Sequence, residues 1–288
     1  MPELPEIAAL AGFLQSRLQG RRIETLELAS FAALKTYAPP LEALRGERVI
    51  GVGRRGKYLF VEAANGLNLV THLARAGWVR WHDDASRLAR ARPGRGPLAL
   101  RVGVEGGSCF DLTEQSTEKR LAVYVVADLL EVAGIARLGA DPLDATLDPD
   151  RLGTLLRQRP GQLKALLTDQ GVLAGVGNAY SDEVLHRARL SPFKRSGDLR
   201  DEEVVRLHRA LREVMQEAVA RASDLAAADL KAEKRTGLRV HGRTGQACPD
   251  CGDTIREVVL GSRSLQYCAT CQTGGRTLAD RRLSKLLR

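Results

Sequence analysis

Aromatic side chains are scarce in this 288-residue chain, 4% of the whole with two Trp and five Phe. Its cores must therefore be assembled mainly from Leu, Val and Ala. Long apolar runs are missing too, since no stretch approaches the roughly 20 residues that cross a bilayer. The opening MPELPEI places acids where an export signal has positive charge. These absences predict a cytoplasmic protein without a membrane partner. An acidic surplus is lacking in the second half. Residues 1–150 hold 19 basic and 19 acidic side chains, whereas 151–288 hold 25 and 16, so the whole net charge of +9 lies there. Concentrated surplus of that kind favours a polyanionic partner, nucleic acid above all.

What is present reads as two kinds of structure. Ile7, Leu10, Ala11, Leu14 and Leu18 recur at the spacing of one buried helical face, with Pro5 and Glu6 suited to its first turn. Between about 48 and 126 the pattern is β. Tyr58–Glu62 and Leu67–Thr71 alternate around an Asn65-Gly66 turn, and a second hairpin is expected at Gly106-Gly107. The stretch 83–97 reads as a basic loop. Pro142, Pro149 and a run of aspartates interrupt regular structure at 138–150, where the domain boundary is expected. Beyond it the pattern turns helical, most clearly through Val204, Leu207, Leu211, Val214 and Val219.

Three constellations carry chemistry. Cys248 and Cys251 form one CxxC pair, Cys268 and Cys271 another, sixteen residues apart. Such spacing turns four thiolates onto one tetrahedral zinc, structural because no coordination position stays open. A pair of disulfides is the alternative, disfavoured without an export signal. The runs TIREVVL and RSLQYC flank Gly261-Ser262, giving a zinc ribbon with Arg263 beside its tip. Cys109 is left over as a buried strand thiol. In the second constellation, GVLAGVGNAYSDEVL, a glycine-rich turn opens a helix. Its backbone amides and the Asn178 side chain can hold a phosphate; a flexible turn between two core helices is the plainer reading.

The third is Pro2-Glu3. Removal of the initiator Met would expose a prolyl secondary amine. With a pKa of about 7.7–8.0 it is far more often neutral at physiological pH than a lysine. Attack on an aldehyde-level carbon gives an iminium, and Glu3 can shuttle the protons. An ordinary frayed terminus is the alternative.

Together these pieces resemble the bacterial formamidopyrimidine-DNA glycosylase/endonuclease VIII family of base-excision repair enzymes. MPELPEI resembles its start, RRGKYL (54–59) its catalytic-lysine hairpin and LGADPL (138–143) its linker. LAGVGNAYSDEVL with RLSP resembles its helix-two-turn-helix, and 241–272 its C-terminal zinc finger. The resemblance implies an α+β fold: an N-terminal antiparallel β-sandwich flanked by helices (1–137), a linker (138–150), a helix-two-turn-helix domain (151–236), a zinc finger (237–273) and a basic extension (274–288). It implies a bifunctional DNA glycosylase and abasic-site lyase acting on damaged double-stranded DNA. The expected enzyme is a monomer with one structural zinc and no small-molecule cofactor. Pro2 would attack C1′ of a flipped nucleotide, with Glu3 as acid/base and Lys57 beside the lesion phosphates. DNA contacts are expected from Glu6, His72, Lys164, Asn178 and Arg263, the last two as a phosphate-pinching pair.

The departures from the family pattern are equally specific. Members that read oxidised purines carry Met where HLARAG (72–77) places Arg75, and Arg and Phe in a loop here replaced by DLTEQSTEKR (111–120). Arg75, Leu112 and Gln115 are the candidates to fill the space a flipped nucleotide vacates. The segment 222–243 is short and helical for a lid over 8-oxoguanine. These changes predict weak excision of 8-oxoguanine opposite C, with abasic sites or oxidised pyrimidines preferred. An abasic-site or bulky-adduct nicking enzyme and a non-catalytic binder of damaged DNA are the alternatives. Arg281, Arg282, Lys285 and Arg288 add either DNA contacts or a solvated helix face.

Overall fold

The computed structural model describes residues 1–88, 94, 96–260 and 263–279, the side chains of Arg87, Leu260 and Arg263 excepted. The chain divides into two compact units, Met1–Arg137 with Ala222–Lys231, and Leu138–Arg221 with Ala232–Arg288. The short return segment 222–231, which the sequence pattern groups with the helices after the linker, thus belongs with the first unit. Residues 89–93 and 95 of the 83–97 loop and Arg281, Arg282, Lys285 and Arg288 of the extension lie outside the described residues, as does the Gly261-Ser262 tip.

The first unit begins with helix α1 (Leu4–Leu18), whose stripe Ile7, Leu10, Leu14 and Leu18 is fully buried, as its periodicity predicts. Each such side chain contributes roughly 1.5–3 kcal/mol by leaving water. Strands β1 (Ile23–Leu28), β2 (Val49–Arg55), β3 (Tyr58–Ala63), β4 (Asn68–His72), β5 (Gly77–His82), β6 (Leu98–Val104), β7 (Ser108–Glu114) and β8 (Ala122–Val126) follow. They form two four-stranded antiparallel sheets, ordered β1-β6-β7-β5 and β2-β3-β4-β8. Val61, Leu69 and Val123 of one sheet share a core with Leu100, Phe110 and Leu112 of the other, the interior of a sandwich. Both expected hairpins form, β3 with β4 and β6 with β7. Between β2 and β3 the chain reverses in two residues, Gly56-Lys57, with Arg55 paired to Tyr58. Gly56 takes φ +54 there, which favours a residue without a Cβ and sets Lys57 at the head of the hairpin. A short helix, α2 (Ala133–Ala136), ends the run before the linker.

In the second unit α3 (Pro149–Arg157), α4 (Leu163–Thr168), α5 (Asn178–Arg187) and α6 (Asp201–Ala222) precede α7 (Leu230–Gly237). The long helix α6 buries Val204, Leu207, Leu211 and Val214, and its stripe closes on Ala218 rather than Val219. Strands β9 (Ile255–Leu260) and β10 (Arg263–Cys268) pair antiparallel, and α8 (Ala269–Thr273) carries the last cysteine. Among the described residues no helix is long and apolar enough to cross a membrane.

Candidate functional site

At the chain start, Met1 is 52% exposed while Pro2 and Glu3 are buried. Glu3 is the N-cap of α1, and a capping box joins it to Glu6, whose carboxylate accepts the Glu3 N–H at 2.8 Å. Glu3 therefore has a helix-capping task that sequence reading left unassigned. The E-x-x-E spacing is the signal that was available. Glu6, expected to contact DNA, is 3% exposed, with its carboxylate turned onto the Glu3 backbone.

Lys57 is buried, 6% exposed, at the β2–β3 turn. Its charge, together with burial as the larger cause, holds the His72 pKa down at about 4. The His72 ring lies 4.7 Å from that of Tyr58. At neutral pH His72 is thus uncharged and can meet a phosphate only as a hydrogen-bonding group, not as a counter-charge.

Arg75 is exposed in the β4–β5 turn, and the Gln115 N–H donates to the Ala76 carbonyl at 3.4 Å. The two candidate wedge residues therefore occupy adjoining turns. Leu112 does not join them. It is fully buried in β7, paired across to Val79 and Leu100, and every residue of that strand is buried. It is a core residue and cannot enter DNA without emptying the sandwich. The 115–120 loop is instead anchored by Glu114, whose carboxylate accepts the backbone N–H groups of Arg120 at 2.9 Å and Leu121 at 3.0 Å.

In the second unit, Gly177 caps α5 and Asn178 opens it. The Asn178 amide donates to the Ser264 carbonyl at 2.8 Å, setting this turn against the ribbon strand that begins at Arg263. The Arg263 backbone belongs to β10, and its side chain lies outside the described residues. Lys164 departs from its expected role. It is 8% exposed, and its ammonium donates to the Asn178 carbonyl (2.6 Å), Ser181 Oγ (2.8 Å) and Asp182 Oδ1 (2.6 Å). Three N–H groups meet three acceptors, so a phosphate would have to displace one of them. Asp182 also meets His241 Nδ1 at 2.7 Å, and Glu183 accepts the backbone N–H groups of Arg239, Val240 and His241 at 2.8–2.9 Å. Burial raises the Glu183 pKa against those bonds. Neither acid was singled out from the sequence. The i,i+4 placement of Asp182 after Asn178 puts both on one helix face, the signal for the first.

The four paired cysteines converge, all Sγ atoms lying within 4.8 Å of one another, with Cys248–Cys271 at 3.8 Å and Cys251–Cys268 at 3.4 Å. Tetrahedral thiolates about 2.3 Å from zinc stand about 3.8 Å apart, so the cluster fits that ion. All five cysteines are free thiols, which sets aside the disulfide alternative. Cys109 is the buried strand thiol expected, its pKa pushed up to about 11 by burial. His186 Nε2 lies 3.3 Å from Cys248 Sγ, so with zinc bound the thiolate would accept and His186 would donate from Nε2.

Three family models match the chain in order: the formamidopyrimidine-DNA glycosylase N-terminal domain over 1–115, the formamidopyrimidine-DNA glycosylase H2TH domain over 138–228, and the zinc finger found in FPG and IleRS over 245–274. A formamidopyrimidine-DNA glycosylase from Pelotomaculum thermopropionicum is 33% identical across 94% of this chain and 99% of its own length. The chain belongs to the formamidopyrimidine-DNA glycosylase family. An uncharacterized formamidopyrimidine-DNA glycosylase-like protein of Mycobacterium tuberculosis is 54% identical over 151 residues, 52% of this chain and 94% of that protein. A Lactococcus lactis FPG variant, solved in complex with Fapy-dG-containing DNA, superposes with a TM-score of 0.83 at 25% identity, covering 94% of this chain and all of that one. Within this family frame the cysteine cluster is a structural zinc site, closed by four thiolates.

Proposed function

We propose that this member of the family is a DNA-repair glycosylase and abasic-site lyase whose nucleophile is the Pro2 amine, freed when Met1 is removed. The observation that supports this best is the buried Pro2-Glu3 pair at the capped N-terminus of α1. The positive end of the helix dipole disfavours an ammonium there, which keeps more of the amine neutral. The amine lone pair attacks C1′ of a flipped nucleotide and the C1′–N bond breaks, the base leaving with a proton. Loss of the ring oxygen's bond to C1′ leaves an iminium. Removal of a C2′ proton then expels the 3′ phosphate, and a second elimination expels the 5′ phosphate. Glu3 delivers and removes protons in these steps, and Lys57 lies with neutral His72 against the adjacent phosphates. Damaged double-stranded DNA is the partner, a reading supported by the Lactococcus variant's complex with Fapy-dG-containing DNA, and the enzyme works as a cytoplasmic monomer with zinc as its one cofactor.

The lesion follows from the departures. Arg75 brings polar donors where a Met brings only bulk, and Leu112 is committed to the core. Weak excision of 8-oxoguanine opposite C is expected, with stronger action on abasic sites or oxidised pyrimidines. Borohydride reduction in the presence of abasic-site DNA should trap a covalent adduct that Pro2→Gly weakens and a blocked N-terminus abolishes. Absence of an adduct with the wild-type protein would overturn the mechanism. Duplexes carrying each lesion opposite each base test the preference, which efficient 8-oxoguanine turnover opposite C would reverse.

A further inference from the structure

In a chain so poor in aromatics, both tryptophans line one cavity. Trp78 and Trp81 of β5 face it together with Phe13 of α1, in a space of about 580 Å³ within the first unit. Phe13 and Trp81 meet edge to face, ring centroids 6.3 Å apart. The Arg17 guanidinium lies 3.7 Å over the Phe13 ring, and Lys231 Nζ lies 4.6 Å over Trp78. The return segment completes the wall, for the Trp78 indole N–H donates to the Ala227 carbonyl at 2.8 Å. A second cavity of about 510 Å³ shares Arg17, Trp81 and Asp83 with the first and is lined otherwise by polar or small groups, among them Arg21, Ser16 and Ser108. Arg21 donates to Ser108 Oγ at 2.9 Å, which holds its charge at that wall.

The two spaces differ in chemistry and join at Arg17. One offers the half-buried ring of Trp81 beside Phe13, with Arg17 and Lys231 already seated over Phe13 and the buried Trp78; the other offers two guanidinium groups and hydroxyls. The geometry points to a nucleotide-binding site, with a base stacked in the aromatic cavity and its phosphate beside Arg17 and Arg21. Aromatic side chains accept the π-face of any base, and arginine suits both the stack and the phosphate. Asp83, on the shared wall, accepts from Trp81 Nε1 at 2.8 Å and offers a carboxylate to a sugar hydroxyl or exocyclic amine. Neither cavity is lined by Pro2, Glu3, Glu6 or Lys57, although Gln115, one of the wedge candidates, lines the first. Phe13 stands ten residues beyond Glu3 on α1, about 15 Å along the helix. The site is therefore separate from the proposed nucleophile and does not depend on its chemistry.

Because the chain has no other tryptophan, its tryptophan emission, excited on the red side of the tyrosine band, comes from this site alone. Full-length, zinc-loaded protein is titrated with dAMP and dGMP, with a short single-stranded oligonucleotide and with inorganic phosphate. A saturable quench by nucleotides but not by phosphate is expected, weakened about tenfold by Arg17→Ala and less by Arg17→Lys. Pro2→Gly should bind like the wild type, so failure of the amine chemistry and failure of this site are told apart. Quenching by mononucleotides identifies a free nucleotide as a sufficient ligand; quenching by the oligonucleotide alone identifies a nucleotide of a strand only where Arg17→Ala abolishes it, and otherwise reports DNA at the main site and overturns the proposal. No quench by either, an equal quench by phosphate, or a quench undiminished in both Arg17 variants would overturn the proposal.

Discussion

The Asn178 side-chain amide reaches the Ser264 carbonyl at 2.8 Å, so the glycine-rich turn at the start of α5 is tied to a strand of the zinc ribbon. The turn and the ribbon are far apart in sequence, and this bond makes the position of one depend on the folding of the other. Zinc–thiolate bonding at such a site is also folding free energy. Cys268→Ser, or zinc removal by a chelator, is expected to unfold the ribbon and weaken DNA binding for all sequences alike. If Arg263 neutralises one phosphate, the salt slope should also shrink by about one. DNA affinity across a salt series, with and without zinc, is the check; unchanged affinity in metal-free protein would separate the ribbon from binding.

Lys164 and Asp182 form a buried ion pair at 2.6 Å, with the lysine side chain 10% exposed and the aspartate not at all. Removing Lys164 leaves the buried Asp182 carboxylate with only His241 Nδ1 and the Gln266 N–H as partners, a loss of up to about 3–5 kcal/mol. Lys164→Met should therefore lower stability strongly, while adding Asp182→Leu should recover part of the loss. Urea unfolding of the two single variants and the double variant measures the coupling. Additive effects would show that the pair is not coupled.

His72 makes stability depend on pH in a defined window. Its folded pKa of about 4 lies below the ordinary 6.5, lowered by burial and then by Lys57. The neutral ring is the folded form, so its contribution is fully present above 6.5 and is lost as pH falls towards 4, where the unfolded chain takes up the proton first. The shift corresponds to at most about 3 kcal/mol. Relative to His72→Asn, the wild type should lose stability across that interval and not above it. Parallel urea curves at neutral and acidic pH test this, and identical pH dependence in both proteins would refute it.

Glu114 holds the 115–120 loop through backbone bonds to Arg120 and Leu121. Glu114→Ala leaves those N–H groups without their acceptor, at about 1–3 kcal/mol for each that stays buried. Amide exchange at Arg120 and Leu121 should quicken, and affinity for abasic-site DNA should fall while the zinc content stays the same. Exchange rates equal to the wild type would mean that the loop is held by other contacts.

The sequence by itself determined whatever depends on near neighbours along the chain. The α1 stripe, the Asn65-Gly66 and Gly106-Gly107 hairpins and the paired cysteines are local patterns, governed by helical and strand periods, turn geometry and ligand reach. The tertiary structure alone decided which of several plausible roles a side chain takes. Lys164 reads as a phosphate contact until Asp182, eighteen residues on, takes its charge. Leu112 reads as a loop residue because β7 is covered on both faces, leaving no alternation to distinguish inside from outside. His72 is neutral because a strand pairing sets it beside Tyr58 and Lys57. The tryptophan cavity exists only because 222–231 returns to β5, and Trp78 binds Ala227 across 149 positions of sequence. Burial and electrostatics are sums over neighbours in space, and a linear pattern supplies only the neighbours along the chain.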